Sequence, residues 1–413
     1  MRARVWIVSA AFALAAGAGV DSGARERLLR LGPLGPVPLD PTNRWSGNAD
    51  AAELGRWLFH EPRLSRDGSV SCATCHRADH GFAETRPLTR GLSDGTRHTQ
   101  SLLNAAYQRW LTWDGRADSL WSQALHPFTN PREMGLAPAE VIDRIRVIPP
   151  LRQRYEALFG ALPSTADDAG VRTAFANVGK AIGAFERRLV TGPAAFDRWL
   201  ERVRRGDESP VEGFDESAIR GASLFVDRAD CVRCHAGPLL SDGEFHMIGV
   251  PTRLGDAPTD RGRLEGVERL RSDPFNATGR YSDDPDGPKA KVTRATTPDP
   301  ESWGRFRTPS LRSAAATPPY MHQGQLASLE AVIRFYDTLD GATSLDHHAE
   351  RVLEPLGLTA GERADLEAFL RGVQGSAPDP ALVGDPWPDR PAEIPESAPK
   401  SAVPGSQRPG SGA

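Results

Sequence analysis

Cys72-Ala73-Thr74-Cys75-His76 and Cys231-Val232-Arg233-Cys234-His235 are two copies of one pentapeptide, and together they use every cysteine of the chain. Two thiols three positions apart can each add to a porphyrin vinyl group, and the adjoining histidine then reaches the iron. A CxxC redox pair, a disulfide framework and a four-thiolate zinc site are the competing readings. Histidine follows both pairs, no cysteine is left over, and the interval from Cys72 to Cys231 is too long for a zinc ribbon. Two covalently bound c-type haems are therefore the expectation, with Cys72, Cys75, Cys231 and Cys234 as attachment points and His76 and His235 as proximal iron ligands.

The approaches to the two motifs are alike. Leu54-Gly55-Arg56-Trp57-Leu58-Phe59 precedes the first and Arg220-Gly221-Ala222-Ser223-Leu224-Phe225 the second, each with Leu-Phe three residues after a glycine. This predicts an internal duplication, in which a helix leads into each CxxCH. Val171, Phe175, Val178, Ile182, Phe185 and Leu189 recur at steps of four and three, which marks one buried helix face behind the first motif. Thr359-Ala360-Gly361-Glu362 reads as a capping box opening a last helix, with Leu366, Phe369, Leu370 and Val373 inward. No alternating strand run competes, so the predicted fold is all-α.

Length and composition agree with a globular protein of two or three domains: 413 residues, 39% hydrophobic and 25% charged. The net charge of -4 carries no basic excess to track phosphates, which argues against a nucleic-acid partner. Residues 1–20 open with Met1-Arg2-Ala3-Arg4 and continue as a short Ala/Gly-rich apolar run, the pattern of a secretory signal peptide. Export to the periplasm also suits covalent haem attachment. The remaining plan is an N-terminal extension over 21–45, a first domain over 46–204, a second over 205–375 with a polar surface insertion at about 250–303, and a disordered Pro/Ser/Gly-rich tail over 376–413.

Five stretches make a further resemblance specific: Leu54 through His76, Ser101-Leu-Leu-Asn-Ala-Ala-Tyr107, Trp113-Asp-Gly-Arg116, Asn130-Pro-Arg-Glu-Met-Gly135, and Thr308-Pro-Ser-Leu-Arg312 through Tyr336. In these the chain resembles the bacterial dihaem cytochrome c peroxidase family, including its MauG-like branch. The resemblance implies two cytochrome c-like haem domains with long loops, the first haem meeting peroxide and the second receiving electrons. Hydrogen peroxide is then the substrate, with a small cytochrome or cupredoxin as donor and a monomer or homodimer as the assembly.

The same resemblance assigns roles. Glu133, twenty residues after Trp113, matches the family's catalytic glutamate, the group that moves a proton between the peroxide oxygens. Trp113 matches the tryptophan between the haems. Many members close the first iron with a loop histidine. Here Arg90 falls at that position and His80 and His98 do not replace it, so the first haem is expected to be accessible without prior reduction. The family's far ligand of the second iron lies fourteen residues after His322, at Tyr336, in preference to Met247, Met321 or His322. Tyrosine there points toward the MauG-like reading, in which peroxide oxidises Trp or Tyr of a partner protein; a non-enzymatic dihaem carrier or sensor is the reading of another class. The family's calcium site loses its asparagine to His98. Imidazole suits that hard cation poorly, leaving Ca²⁺ only carbonyls such as those of Thr317 and Pro319 and water.

Overall fold

The computed structural model describes residues 21–254, 260–343 and 353–388; the signal-peptide reading of 1–20 and most of the predicted tail lie outside them. In chain order the helices are α1 Ser22–Leu29, α2 Ala49–Phe59, α3 Cys72–Cys75, α4 Leu120–Gln123, α5 His126–Thr129, α6 Pro138–Val147, α7 Pro149–Phe159 and α8 Asp168–Glu186. They continue with α9 Ala195–Arg204, α10 Glu216–Val226, α11 Arg263–Ser272, α12 Pro288–Ala295, α13 Leu329–Thr338, α14 Ala360–Gly372 and α15 Pro380–Val383. Among the described residues the only sheet is a two-stranded antiparallel pair, β1 Phe245–His246 and β2 Phe306–Arg307, with Phe245 opposite Arg307.

Two hydrophobic cores organise these helices. The first gathers Leu54, Leu58 and Phe59 of α2 against Phe175, Val178, Ile182 and Phe185 of α8, with α6 and Trp121 completing it. The second gathers Ile219, Ala222 and Phe225 of α10 against Leu366, Phe369 and Leu370 of α14, with α13 at its side. The predicted stripe of α8 is buried along its length, and Thr359 caps α14 reciprocally with Glu362.

The repeated glycines explain themselves at the helix crossings. A Cβ on Gly55 would stand 2.0 Å from the carbonyl oxygen of Ala181 on α8, and one on Gly221 would stand 1.9 Å from that of Asp365 on α14. Each motif-leading helix crosses its partner backbone to backbone, and only glycine permits that approach. The repeat extends further. Asn104 and Ser313 both take left-handed backbone, at φ 61° and 63°, just before a 3₁₀ turn. Ser101 Oγ donates to the Gly81 carbonyl at 2.5 Å, and Ser310 Oγ donates to that of Leu239 at 2.6 Å.

Three boundaries differ from the sequence plan. Helix α9, placed with the first domain, buries Phe196, Trp199, Leu200 and Val203 in the second core, as does α1 of the predicted extension through Ala24 and Leu28. The amphipathic period of α9 reveals that it is buried but not against which unit. The tail is ordered at least to residue 388: α15 follows the core, the Arg56 guanidinium donates to the carbonyls of Ala381 and Gly384, and Trp387 meets Trp57 edge-on with centroids 4.5 Å apart. Leu382, Val383 and the large Trp387 ring pack on the first core and outweigh the disorder-prone composition around them.

The segment from 250 to 303 is the third difference. It carries α11 and α12, buries Val267, Leu270, Ala277 and Ala290, and docks on the first unit rather than running free over the second. Gly266 packs on the Asp114 backbone, Asp118 Oδ2 accepts from Ala277 N and Thr293 Oγ1, and Lys180 Nζ meets Asp283 at 2.7 Å. Polar composition concealed these contacts because most of them are hydrogen bonds and ion pairs.

Candidate active site

The two histidines are held in the same way. The Nδ1 of His76 bonds the Phe82 carbonyl at 2.9 Å and the Nδ1 of His235 bonds the Leu240 carbonyl at 3.0 Å. Phe82 and Leu240 reach those positions through left-handed backbone, φ 57° and 51°. With Nδ1 committed to the chain, Nε2 is the nitrogen a metal would take. Burial holds both imidazoles below their ordinary range, which keeps them in the neutral form a metal needs. Behind each ring stands a Phe from the last turn of the motif-leading helix: Phe59 lies 6.3 Å from His76 and Phe225 6.5 Å from His235, centroid to centroid.

No disulfide joins the four cysteines. Burial pushes Cys75 up to about 11 and Cys231 up to about 12, and raises Cys72 as well. A CxxC redox pair works through a depressed thiol pKa, so Cys72, Cys75 and Cys231 are poorly suited to thiol–disulfide exchange. Paired thiols beside a neutral imidazole fit a c-type haem.

Around the first motif opens a cavity of about 1010 Å³, lined by Cys72, Cys75, His76, Trp113, Glu133 and Glu186 among others. That is at the top of the range for cofactor pockets, roughly 300–1,000 Å³. Glu133 sits in the turn after α5, where Asn130 Nδ2 donates to its Oε1 at 2.7 Å. The loop carrying Arg90 is pinned on this turn: Leu92 N donates to the Glu133 carbonyl at 3.0 Å and Ser93 N to that of Arg132 at 3.0 Å. A Cβ on Gly91 would stand 2.5 Å from the Glu133 Cα. The Arg90 side chain is exposed and faces Asp94 at 3.7 Å. His80 bonds the Pro318 carbonyl and His98 the Arg86 carbonyl, so both have other employment.

Trp113 joins the two units. Its indole N–H donates to the His98 carbonyl at 2.8 Å, its own carbonyl accepts from Arg307 N at 2.8 Å, and its ring meets His322 with centroids 6.5 Å apart. His322 is stacked on Phe306 at 3.8 Å and pushed down to about 4, chiefly by burial. The Trp113-Asp-Gly-Arg turn is fixed by Gly115, at φ 66°, where any Cβ would meet the Phe245 ring and Arg263. Asp114 anchors it: burial opposes ionisation, yet Arg116 and Arg97 hold the carboxyl far below its usual range. Arg97 bridges Asp114 at 2.6 Å to Asp260 at 2.7 Å, tying the first unit to the inserted segment.

At the second motif, Tyr336 lies on α13 next to the cysteine pair. Burial raises its phenol, and the nearby sulfurs of Cys231 and Cys234 add to that. Leu329 and Ile333 of the same helix fill the core, whereas Tyr336 is only partly covered by the protein. Its apolar-face reading and its ligand reading thus separate along α13. Cys234, Asp242 and His246 also converge, and hydrogen bonds from His246 to Asp242 and to Cys234 raise the imidazole to about 10. His98, at the family's calcium position, is buried with Nδ1 bound to Arg86.

Sequence reasoning missed two cavity residues. Glu186 is 4% exposed, its Oε2 has no hydrogen-bond partner, and burial raises it to about 8. It falls four residues after Ile182, on the apolar face of α8, and an acid on such a stripe was the available signal. His126 lines the same cavity and bonds Asp273 across 147 residues of sequence, which no local pattern reveals.

A family model described as di-haem cytochrome c peroxidase matches residues 49–205. The cytochrome-c peroxidase IdrP1 of Pseudomonas sp. (strain SCT) is 33% identical over 369 residues, covering 87% of this chain and 90% of that protein. The methylamine utilization protein MauG of Methylorubrum extorquens is 36% identical over 332 residues, 80% of this chain and 79% of that one. A crystal structure of a MauG-like protein associated with microbial copper homeostasis superimposes with a TM-score of 0.65 at 26% identity, over 86% of this chain and 98% of the other. With relatives matched along most of their length and the paired CxxCH sites in place, this chain belongs to the di-haem cytochrome c peroxidase family, peroxidase-like oxidoreductases that carry two c-type haems.

Proposed function

We propose that the protein is a periplasmic peroxidase that reduces hydrogen peroxide to water with electrons from a small cytochrome or cupredoxin. The observation that carries this reading is the placement of Glu133 in one cavity with Cys72, Cys75, His76 and Trp113. Cys72 and Cys75 would attach the first haem and His76 would ligate its iron, while Cys231, Cys234 and His235 would do the same for the second. When bound, the haems supply the redox chemistry. Glu133, oriented by Asn130, takes a proton from one peroxide oxygen and returns it to the other, so that water can leave. Trp113, between the units, carries electrons from the second site to the first. Export rests on the signal-peptide pattern of residues 1–20.

Glu133→Gln tests the assignment. Peroxide turnover should fall by about 10²–10⁴-fold while the optical spectrum of the loaded protein stays unchanged. Turnover within a few fold of the parent would remove Glu133 from the mechanism.

Two observations favour a second reading, oxidation of a partner protein's Trp or Tyr. Tyr336 stands beside the second cysteine pair, where an anionic oxygen ligand would lower the iron potential, and by the family resemblance Arg90, here exposed and facing Asp94, falls where a closing histidine would lie. Peroxide-dependent modification of a co-purified protein, compared with turnover of reduced small donors, separates the two. A pure electron carrier would leave the spectrum unperturbed by peroxide.

A further inference from the structure

Five acidic side chains line the first cavity, and four of them are held by a partner. Asn130 donates to Glu133, Arg97 pairs with Asp260, Arg269 pairs with Glu265, and His126 bonds Asp273. Glu186 is the exception. It ends α8 on the buried stripe of that helix, only 4% of the residue is exposed, and its Oε2 has no hydrogen-bond partner. Burial alone raises it to about 8. Its place on the cavity wall is beside the first attachment cysteine, close enough for its charge to add to the rise of the Cys72 thiol.

The elements packed on α8 hold their own charges elsewhere. On α2, Glu53 pairs with Arg56 and the His60 ring bonds the Arg56 carbonyl; just beyond it, Glu61 pairs with Arg63. Helix α4 carries no charged side chain. On α6, Arg144 donates to the Arg63 and Arg66 carbonyls, Asp143 pairs with Arg146, and Glu140 caps its own helix. On α8 and just past its end, Lys180 meets Asp283 and Arg187 donates to the Pro38 carbonyl.

A buried acid without a countercharge answers to any charge that changes beside it. Ferric iron carries one more positive charge than ferrous iron, and that charge favours the carboxylate over the acid. A unit charge about 10 Å away, at an effective dielectric of about 20, changes a proton affinity by about tenfold.

On the reading that places the first haem at Cys72, Cys75 and His76, we infer that Glu186 is the redox-linked proton site of that haem, binding one proton as the iron gains one electron and releasing it on reoxidation. The exchange balances: Glu186–COO⁻ + H⁺ + Fe³⁺ + e⁻ gives Glu186–COOH + Fe²⁺, with the proton from solvent and the electron from a reduced small donor. Glu186 acts on the iron through charge, separately from the role given to Glu133. The sign follows. Where Glu186 is protonated in both iron states, or ionised in both, the potential does not depend on it; between those limits reduction takes up a proton, and the potential falls as pH rises. Glutamine stays neutral throughout, so Glu186→Gln keeps the low-pH potential of the parent.

The test is a reductive titration of the haem-loaded protein and of Glu186→Gln from about pH 5 to 9, with the first haem followed by its optical and EPR signals. A tenfold difference in proton affinity between the iron states gives the parent a total drop of about 59 mV that the variant lacks. The reduced-minus-oxidised infrared spectrum of the parent near pH 8 should gain a carboxylic-acid C=O band, which persists in Glu133→Gln and is absent from Glu186→Gln. If Glu186→Gln does not load haem, the band in the parent and in Glu133→Gln decides. Parallel potential curves in parent and variant, or no such band, would overturn the inference while leaving the Glu133 reading intact. A Cys72–Cys75 peptide that carries no haem by mass spectrometry would instead overturn the placement on which it rests.

Discussion

Gly221 of α10 lies so close to Asp365 of α14 that a single methyl group would stand 1.9 Å from the Asp365 carbonyl oxygen. Ser217 Oγ and the Arg220 guanidinium also donate to the Asp365 carboxylate, so the contact is clamped on both sides. Alanine is the better helix former by about 1 kcal/mol, yet overpacking a helix crossing costs about 1–3 kcal/mol. Gly221→Ala should therefore lower the unfolding temperature of the loaded protein by several degrees, read by circular dichroism at 222 nm. An increase would mean that the crossing is looser than its geometry implies.

Glu186 ties stability to pH with a definite sign. Its folded pKa, about 8, lies above the ordinary 4.5, so the folded state holds a proton that the unfolded state releases between those values. Its stabilising contribution is complete below pH 4.5 and is lost as pH rises toward 8. Glu186→Gln should leave stability unchanged near pH 4.5 and gain progressively over the parent up to pH 8, by a few kcal/mol at most. Urea unfolding at three pH values measures it; a constant difference would place the proton elsewhere.

Arg312 and Asp197 form a buried pair, with side chains 2% and 5% exposed and distances of 2.7 and 2.9 Å. Arg312 also donates to the carbonyls of Pro238 and Leu31, which ties α1, α9 and the second motif's loop to one side chain. Asp197→Asn strands that guanidinium and should cost about 3–5 kcal/mol in chemical denaturation. The double change Asp197→Leu with Arg312→Met should recover part of the loss.

Trp387 holds the tail. It packs on Trp57 and lies under the Arg63 guanidinium, 4.9 Å from the ring centroid. Trp387→Ala should cost only about 1 kcal/mol but open the 376–388 segment to limited proteolysis, with peroxide turnover unaffected. Equal cleavage rates would show that α15 docks without it.

Tyr336→Phe removes the phenol oxygen beside Cys231 and Cys234 while keeping the ring. The second haem's absorption and EPR signature should change, with a higher potential once the oxygen ligand is gone. An unchanged low-spin spectrum would return Tyr336 to the core of α13.

The motifs, the α2–α10 repeat and the stripe of α8 were legible because each is local: spacing along the chain fixes which side chains share a face. The role of Gly55 and Gly221 was visible as a pattern before its cause was. What the sequence concealed joins distant positions. His126 with Asp273, Arg97 with Asp260 and Lys180 with Asp283 are polar pairs across large separations, and residue type alone does not choose among the chain's many Arg and Asp side chains. Helix α9 shows the same limit for apolar contacts, since its period reports burial and not the unit that buries it. Residues 376–388 show it for composition, where Leu382, Val383 and Trp387 anchor a stretch otherwise rich in Pro, Asp, Ser and Gly.

The inserted segment within the second repeat supplies Asp260, Glu265, Arg269, Asp273 and Phe275 to the first repeat's cavity. The two repeats are therefore not separable modules. A fragment ending before α9 would keep its cysteines, its histidine and Glu133 but lose one wall of the chamber around them. Acidity, charge and access at the first cavity can accordingly be retuned by substitutions in a stretch that leaves the first repeat's own sequence untouched.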